Sequence, residues 1–270
     1  MKIDRRMLIG GGALAVLGAF SFRRTLSVFS NPLEFEALEV PVGFRRMAGG
    51  MSSSGFDPFF GLNTIAEPTM ERALAYVKKD LSKSLFGSRL ASDGLVQIAS
   101  FSDFYCPYCR ILTERLARLA AKSNGAVQIT WHELPILGEA SVLAAKAAIA
   151  ADMQGAYLEF HHRLMKTPFR INAAYLEAVS DSIGLDHQQL LRDINSVEVR
   201  QQLDISAALA RLFSFAGTPA IVVGRTVVQG EISEGLLDQL IERERDDGPI
   251  GSLLQSRVPE GAATPGAMPS

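Results

Sequence analysis

Apolar positions along this chain follow two alternating rhythms. Leu95-Val-Gln-Ile-Ala-Ser-Phe101 is a short apolar run with β-branched residues, of strand length. Tyr108, Leu112, Leu116, Leu119 and Ala120 then recur at helical spacing. That pattern predicts a helix from about Pro107 to Lys122, stopped near Asn124-Gly125. A second strand follows at Val127-Gln-Ile-Thr-Trp-His-Glu-Leu134, parallel to the first through a right-handed crossover. From Ser141 to Phe213 the pattern turns helical. It has an alanine-rich segment at 142–151, shorter helices at 157–165, 173–183 and about 187–194, and a longer one marked by Val199, Leu203, Ala207, Ala210 and Phe213. Ala220–Val223 and Thr226–Val228 flank Gly224-Arg225 and read as a hairpin. Ser233 caps a last helix to about Arg245, with Leu236, Leu237, Leu240 and Ile241 inward. Upstream, Glu67 to about Leu85 reads as one helix, with Leu74, Val77, Leu81 and Leu85 on one side. The order β-α-β, helical block, β-β-α predicts an α/β fold: one mixed sheet with an inserted α-helical subdomain at about 141–213.

The ends read differently. Arg5-Arg6 precede an apolar, glycine-rich stretch from Met7 to Phe22, about the length of a signal-peptide core. The paired arginines resemble a twin-arginine export signal. Ala19-Phe-Ser21 suits cleavage, whereas Arg23-Arg24 after the apolar run suits an uncleaved membrane tether. Residues 1–22 are therefore read as an export signal or N-terminal anchor, and a periplasmic or otherwise extracytoplasmic location is expected. Residues 23–70 look weakly structured, and Met47-Ala-Gly-Gly-Met-Ser-Ser-Ser-Gly55 has flexible-linker composition. Phe56–Leu62 is a short apolar cluster expected to dock on its own domain. The folded domain is placed at 71–245, and 246–270 is read as a mobile tail.

At 270 residues and net charge −2, the chain has length enough for a full core and no basic stretch dense enough for a nucleic-acid footprint. Cysteine usage is more telling. Cys106 and Cys109 are the only two, separated by Pro107-Tyr108. A ring that small restricts the unfolded chain little, so a redox pair is a better reading than a structural staple. Pro107 suits the first helical position, which puts Cys106 at a helix N-terminus where free N–H groups and the dipole favour a thiolate. Cys109, one turn inside, is expected to be more buried. Cys106 is then the sulfur that meets substrate and Cys109 the one that resolves the mixed disulfide. The bland alternatives are an inert buried pair or half of a zinc site. His132, His161, His162 and His187 lack the spacing to complete such a site, so no metal is expected.

With these residues in place, a family resemblance emerges. Phe101–Cys109, Leu134–Lys146 and Gly217-Thr-Pro-Ala-Ile-Val-Val-Gly224 resemble the matching stretches of DsbA-like thiol–disulfide oxidoreductases. That resemblance, over about Leu81 to Arg245, implies a thioredoxin-like fold with an inserted helical domain. It also implies a cis bond at Thr218-Pro219, facing the cysteines and leaving the Thr218 backbone free for an extended substrate peptide. Pro107, Tyr108, Thr218 and Pro219 are thus the expected substrate-contacting residues. Tyr108 adds no charge, so it should stabilise the thiolate less than a cationic neighbour would. Cys-Pro-Tyr-Cys also recurs in glutaredoxins. The chain departs from thioredoxin-like enzymes at Ser100, where they usually carry a buried acid that helps move the resolving thiol's proton. Asp103 either substitutes for that acid or is a surface carboxylate flanking the helix. The implied activity needs no cofactor. Its partners are protein dithiols or disulfides and a redox protein that recycles the pair, most simply with this chain as oxidant. A reductase or isomerase of the same fold, and a non-enzymatic thiol-based carrier of a soft metal ion, are the alternatives.

Overall fold

The computed structural model describes residues 33–54, 67–88, 94–167 and 171–249. Fifteen elements follow in order: β1 (Glu36–Ala37), β2 (Arg45–Met47), α1 (Glu67–Lys79), α2 (Leu81–Phe86), β3 (Val96–Ser102), α3 (Pro107–Lys122), β4 (Val127–Glu133), α4 (Glu139–Asp152), α5 (Tyr157–Lys166), α6 (Ala173–Ser182), α7 (His187–Asp193), α8 (Val197–Leu212), β5 (Ala220–Val223), β6 (Thr226–Gln229) and α9 (Glu234–Asp247). The expected export segment, the Phe56–Leu62 cluster and the tail from 250 onward lie outside the described residues.

The six strands among the described residues form one mixed sheet, ordered β1-β2-β6-β5-β3-β4. β3 lies between β5 and the edge strand β4 and is buried along its whole length, as an apolar run with neighbours on both edges must be. It runs parallel to β4 and antiparallel to β5, with Ser100 opposite Trp131 on one side and Ile221 on the other. The β5–β6 hairpin turns at Gly224 and Arg225. Gly224 has φ 53°, which a two-residue hairpin turn of this kind requires. The helices α4 to α8 form the inserted subdomain between β4 and β5. One apolar core gathers Phe104, Cys106 and Cys109 with α4, Phe160, Leu164, Leu176 and Leu190. A second, around Ala99, Phe101, Leu209 and Phe213, takes in Val77, Leu85 and Phe44.

Two expectations need correction. The first is the helix drawn from Glu67 to Leu85, which breaks at Asp80. The Asp80 carboxylate accepts the Lys83 N–H at 2.9 Å and so starts a new helix as an N-cap. The second is the weakly structured reading of 23–70, which fails over residues 36–53. There β2 pairs in parallel with β6, and the chain continues along the sheet through Gly50 N–H to Glu231 O and Glu231 N–H to Met51 O, both 2.8 Å. The anchor is electrostatic as well as backbone. Arg45 reaches Glu244 at 2.5 Å and Asp247 at 2.8 Å, and its Nε donates to Thr226 Oγ1 at 2.7 Å. Glu244 is buried and also accepts the Arg225 N–H. Close approach suits the two glycines: a Cβ on Gly49 would fall 1.8 Å from Gln229 O. α9 also extends two residues beyond Arg245, ending at Gly248 with φ 74°.

Candidate active site

β3 delivers the chain to Asp103, and a short turn sets Cys106 as the N-cap of α3. Pro107 occupies the first helical position and stays exposed, while Tyr108 is half-buried. The Cys106 sulfur does what a serine or aspartate oxygen does at other helix starts: it accepts the Cys109 N–H, at 3.3 Å. Cys109 lies one turn on, buried, with its sulfur receiving the Asp103 N–H at 3.5 Å. Both cysteines are free thiols.

The two sulfurs are driven apart in acidity. The hydrogen bond from the Cys109 thiol, outweighing the opposing effect of burial, lowers Cys106 to about 5, helped by the Ser53 and Thr218 side chains and the Cys109 N–H. Burial, then the neighbouring Cys106, pushes Cys109 well above the ordinary thiol range. At neutral pH one sulfur is a thiolate and the other holds its proton.

The Thr218–Pro219 bond is cis, and both residues are buried. When protonated, the Cys106 thiol donates to the Thr218 carbonyl at 3.2 Å. The Thr218 hydroxyl is buried and makes no other hydrogen bond among the described residues, which leaves it to the Cys106 thiolate. The Thr218 backbone, expected to be free for substrate, is occupied. Its carbonyl accepts the Ser53 N–H at 2.7 Å and its N–H donates to Ser53 O at 2.8 Å, a single antiparallel bridge. A Cβ on Gly217 would meet Ser53 O at 2.5 Å, so this approach depends on a glycine there. Beneath it, Cys106 has 0% of its surface exposed.

Asp103 is no surface carboxylate, because only 1% of it is exposed. Its carboxylate accepts four donors: the N–H groups of Tyr105, Ile136 and Leu137 and the Ser141 hydroxyl, all at 2.8–2.9 Å. A carboxylate has about four acceptor sites, so its capacity is filled by the loop it holds. Burial raises its pKa despite those bonds. Its amide, rather than its carboxylate, touches Cys109. Ser100 is buried in mid-β3, and no described hydrogen bond joins it to either cysteine. Sequence reasoning missed Ser53 altogether. It also missed a buried polar group beneath the helical subdomain, where Glu133 accepts from the Tyr157 hydroxyl at 2.5 Å and pairs with His161 Nδ1 at 2.9 Å.

This fold and this cysteine pair define a thioredoxin-fold protein of redox type. A DSBA-like thioredoxin domain model matches residues 97–242, more than half of the chain, and the chain belongs to that family of DsbA-like thiol–disulfide oxidoreductases. It is similar to a thioredoxin-like oxidoreductase from Silicibacter pomeroyi DSS-3, at 36% identity and TM-score 0.56, over 61% of this chain and 98% of that one. It is 24% identical to a probable disulfide bond formation protein D of Bacillus anthracis, over 62% of this chain and 84% of that protein. It is also 28% identical to Na(+)/H(+) antiporter NhaA 3 of Salinispora tropica, over 47% of this chain and 20% of the antiporter. The chain thus spans about a fifth of that relative's length.

Proposed function

We propose that this chain is an exported oxidant of protein dithiols, with Cys106 as nucleophile and Cys109 as resolving thiol. The observation that carries the reading is the opposed acidity of two sulfurs one helical turn apart, with Cys106 lowered to about 5 and Cys109 raised. In the oxidised protein a client thiolate attacks the Cys106 sulfur, and Cys109 leaves and takes a proton. The second client thiolate then attacks the client sulfur of the mixed disulfide and expels Cys106 as a thiolate. The client gains a disulfide, and the pair holds two electrons that a redox partner must remove. A stabilised Cys106 thiolate makes the reduced pair favourable, which makes the disulfide oxidising.

Thr218 and Pro219 form the edge against which an extended client lies, and Pro107 and Tyr108 border the sulfur. Asp103 acts as a positioning residue that ties the cysteine turn to the 136–141 loop. The export reading rests on Arg5-Arg6 and the apolar stretch after them. Among the described residues, no helix is long and apolar enough to cross a membrane.

The test is trapping. A full-length Cys109→Ala variant, expressed in its own compartment, should accumulate disulfide-linked adducts that reductant releases and that Cys106→Ala abolishes. No adducts would contradict an exchange activity. Equilibration with glutathione gives the direction: a potential as low as the roughly −270 mV of a thioredoxin would make the chain a reductant.

A further inference from the structure

A sulfur that exchanges with protein thiols must be reached, yet Cys106 is fully buried and the backbone edge beside it is taken by this chain's own Ser53. We infer that Met51–Ser54 is a built-in pseudosubstrate: it occupies the client edge at Thr218, places Ser53 where a client cysteine stands in the mixed disulfide, and must lift before exchange. This rests on the oxidoreductase reading of Cys106.

Three observations carry it. First, Ser53 and Thr218 exchange both backbone hydrogen bonds, 2.7 and 2.8 Å, as opposed residues of two antiparallel strands do. An incoming peptide strand cannot use these two groups until Ser53 gives them up. Second, the Thr218 carbonyl that accepts the Ser53 N–H also accepts the Cys106 thiol at 3.2 Å, so the Ser53 side chain stands beside the reactive sulfur. Serine is cysteine with oxygen for sulfur. It hydrogen-bonds a thiolate but cannot form a disulfide, so it mimics a client without reacting. Third, the tip is held lightly while its root is held firmly. Arg45 locks the root to Glu244 and Asp247. Beyond it, Gly49, Gly50, Ser52 and Ser54 are exposed, and Met51 is 62% exposed. A segment with few buried contacts and a handful of backbone bonds opens locally without disturbing the fold. The linker-like composition of 47–55 is then the composition of a displaceable tip on a fixed hinge.

The contact is also redox-linked. The Ser53 hydroxyl binds a thiolate more strongly than it binds a sulfur in a disulfide. The arm therefore closes preferentially over the reduced pair and loosens over the oxidised one, where a client is wanted.

The test uses the full-length chain carrying S53C, isolated with Cys106–Cys109 oxidised. The new thiolate should attack the Cys106 sulfur and expel Cys109, with no added oxidant. Peptide mapping should then find position 53 joined to Cys106 and one free thiol at Cys109. In parallel, S53P removes the N–H that Thr218 accepts, and alkylation of reduced Cys106 by a bulky maleimide should rise at least about tenfold over the parent chain. A free thiol at position 53, or a maleimide rate within twofold of the parent, overturns the inference. Exchange of the parent chain with oxidised glutathione separates the two claims. If the parent exchanges but position 53 stays a free thiol or the maleimide rate stays within twofold, the arm inference alone has failed. If the parent does not exchange, the oxidoreductase reading has failed and takes the arm with it.

Discussion

Two regions converge on the Cys106 sulfur, and they hold it in different ways. The start of α3 holds it locally: Pro107 sets the first helical turn, and the N–H of Cys109, three residues on, points back at the sulfur at 3.3 Å. The β2 arm holds it from a distance, by pairing Ser53 with Thr218, 165 positions further along the chain. The first arrangement is made by neighbours in sequence and cannot be undone without unwinding a helix. The second is made by a few tertiary hydrogen bonds and is cheap to undo. The tasks are divided: the helix sets the chemistry of the sulfur, and the arm sets who reaches it.

Breaking the helix side has the largest effect. Cys106→Ser should abolish thiol exchange with small and protein disulfides alike, measured with glutathione and with a reduced unfolded client, and should lower the melting temperature of the reduced protein at neutral pH because the stabilised thiolate is gone. Next comes the root of the arm. Glu244→Ala leaves Arg45 without its buried partner and strips the acceptor from the Arg225 amide and the Thr226 hydroxyl. A loss of about 3 kcal/mol in denaturant unfolding is expected. Asp103→Ala, which orphans four donors around the cysteine turn, should cost about 2 kcal/mol and slow exchange without moving the Cys106 midpoint far.

The smallest effect sharpens the comparison most. Ser53→Ala removes one donor to the thiolate and leaves the helix untouched. The Cys106 midpoint should move up from about 5 by less than about one pH unit, read by thiolate absorbance. A larger rise would mean that the arm, and not the helix, makes the thiolate.

The pH dependence of stability carries the same sign. The native Cys106 value lies below the roughly 8.5 of an unfolded thiol. Its ionised form therefore adds stability to the reduced protein that is full above about pH 8.5 and lost as pH falls through about 5. The stability advantage of the reduced over the oxidised protein should shrink steadily on acidification across that window.

The two regions also differ in how they can be read from sequence. Cys106-Pro-Tyr-Cys109, the apolar run before it and the helical spacing after it are local signals, and the cysteine helix lies where they put it. Thr218-Pro219 was legible too, because a Thr-Pro before a short apolar strand is distinctive beside a cysteine pair. Ser53 was not. Gly-Gly-Met-Ser-Ser-Ser has no periodicity and no apolar face, so nothing local distinguishes a strand-edge partner from a linker. Its ordering comes from Arg45 meeting Glu244 and Asp247, about 200 positions away. Asp103 shows an intermediate case. Its place before the cysteines was visible, but its environment is supplied by residues 136–141, which only the folded β4–α4 loop brings near. The break at Asp80 was legible in principle, since an aspartate ahead of a new apolar turn is an N-cap signal, and the continuing leucine spacing masked it.

Everything rests on Cys106 being a stabilised thiolate beside a protonated Cys109. The direct measurement is the absorbance of the reduced full-length chain near 240 nm across pH 3 to 9, with Cys106→Ser as the baseline. One thiolate should ionise with a midpoint near 5, and the baseline variant should lose that transition. A first transition only at about 8.5, the value of an ordinary thiol, would contradict the account.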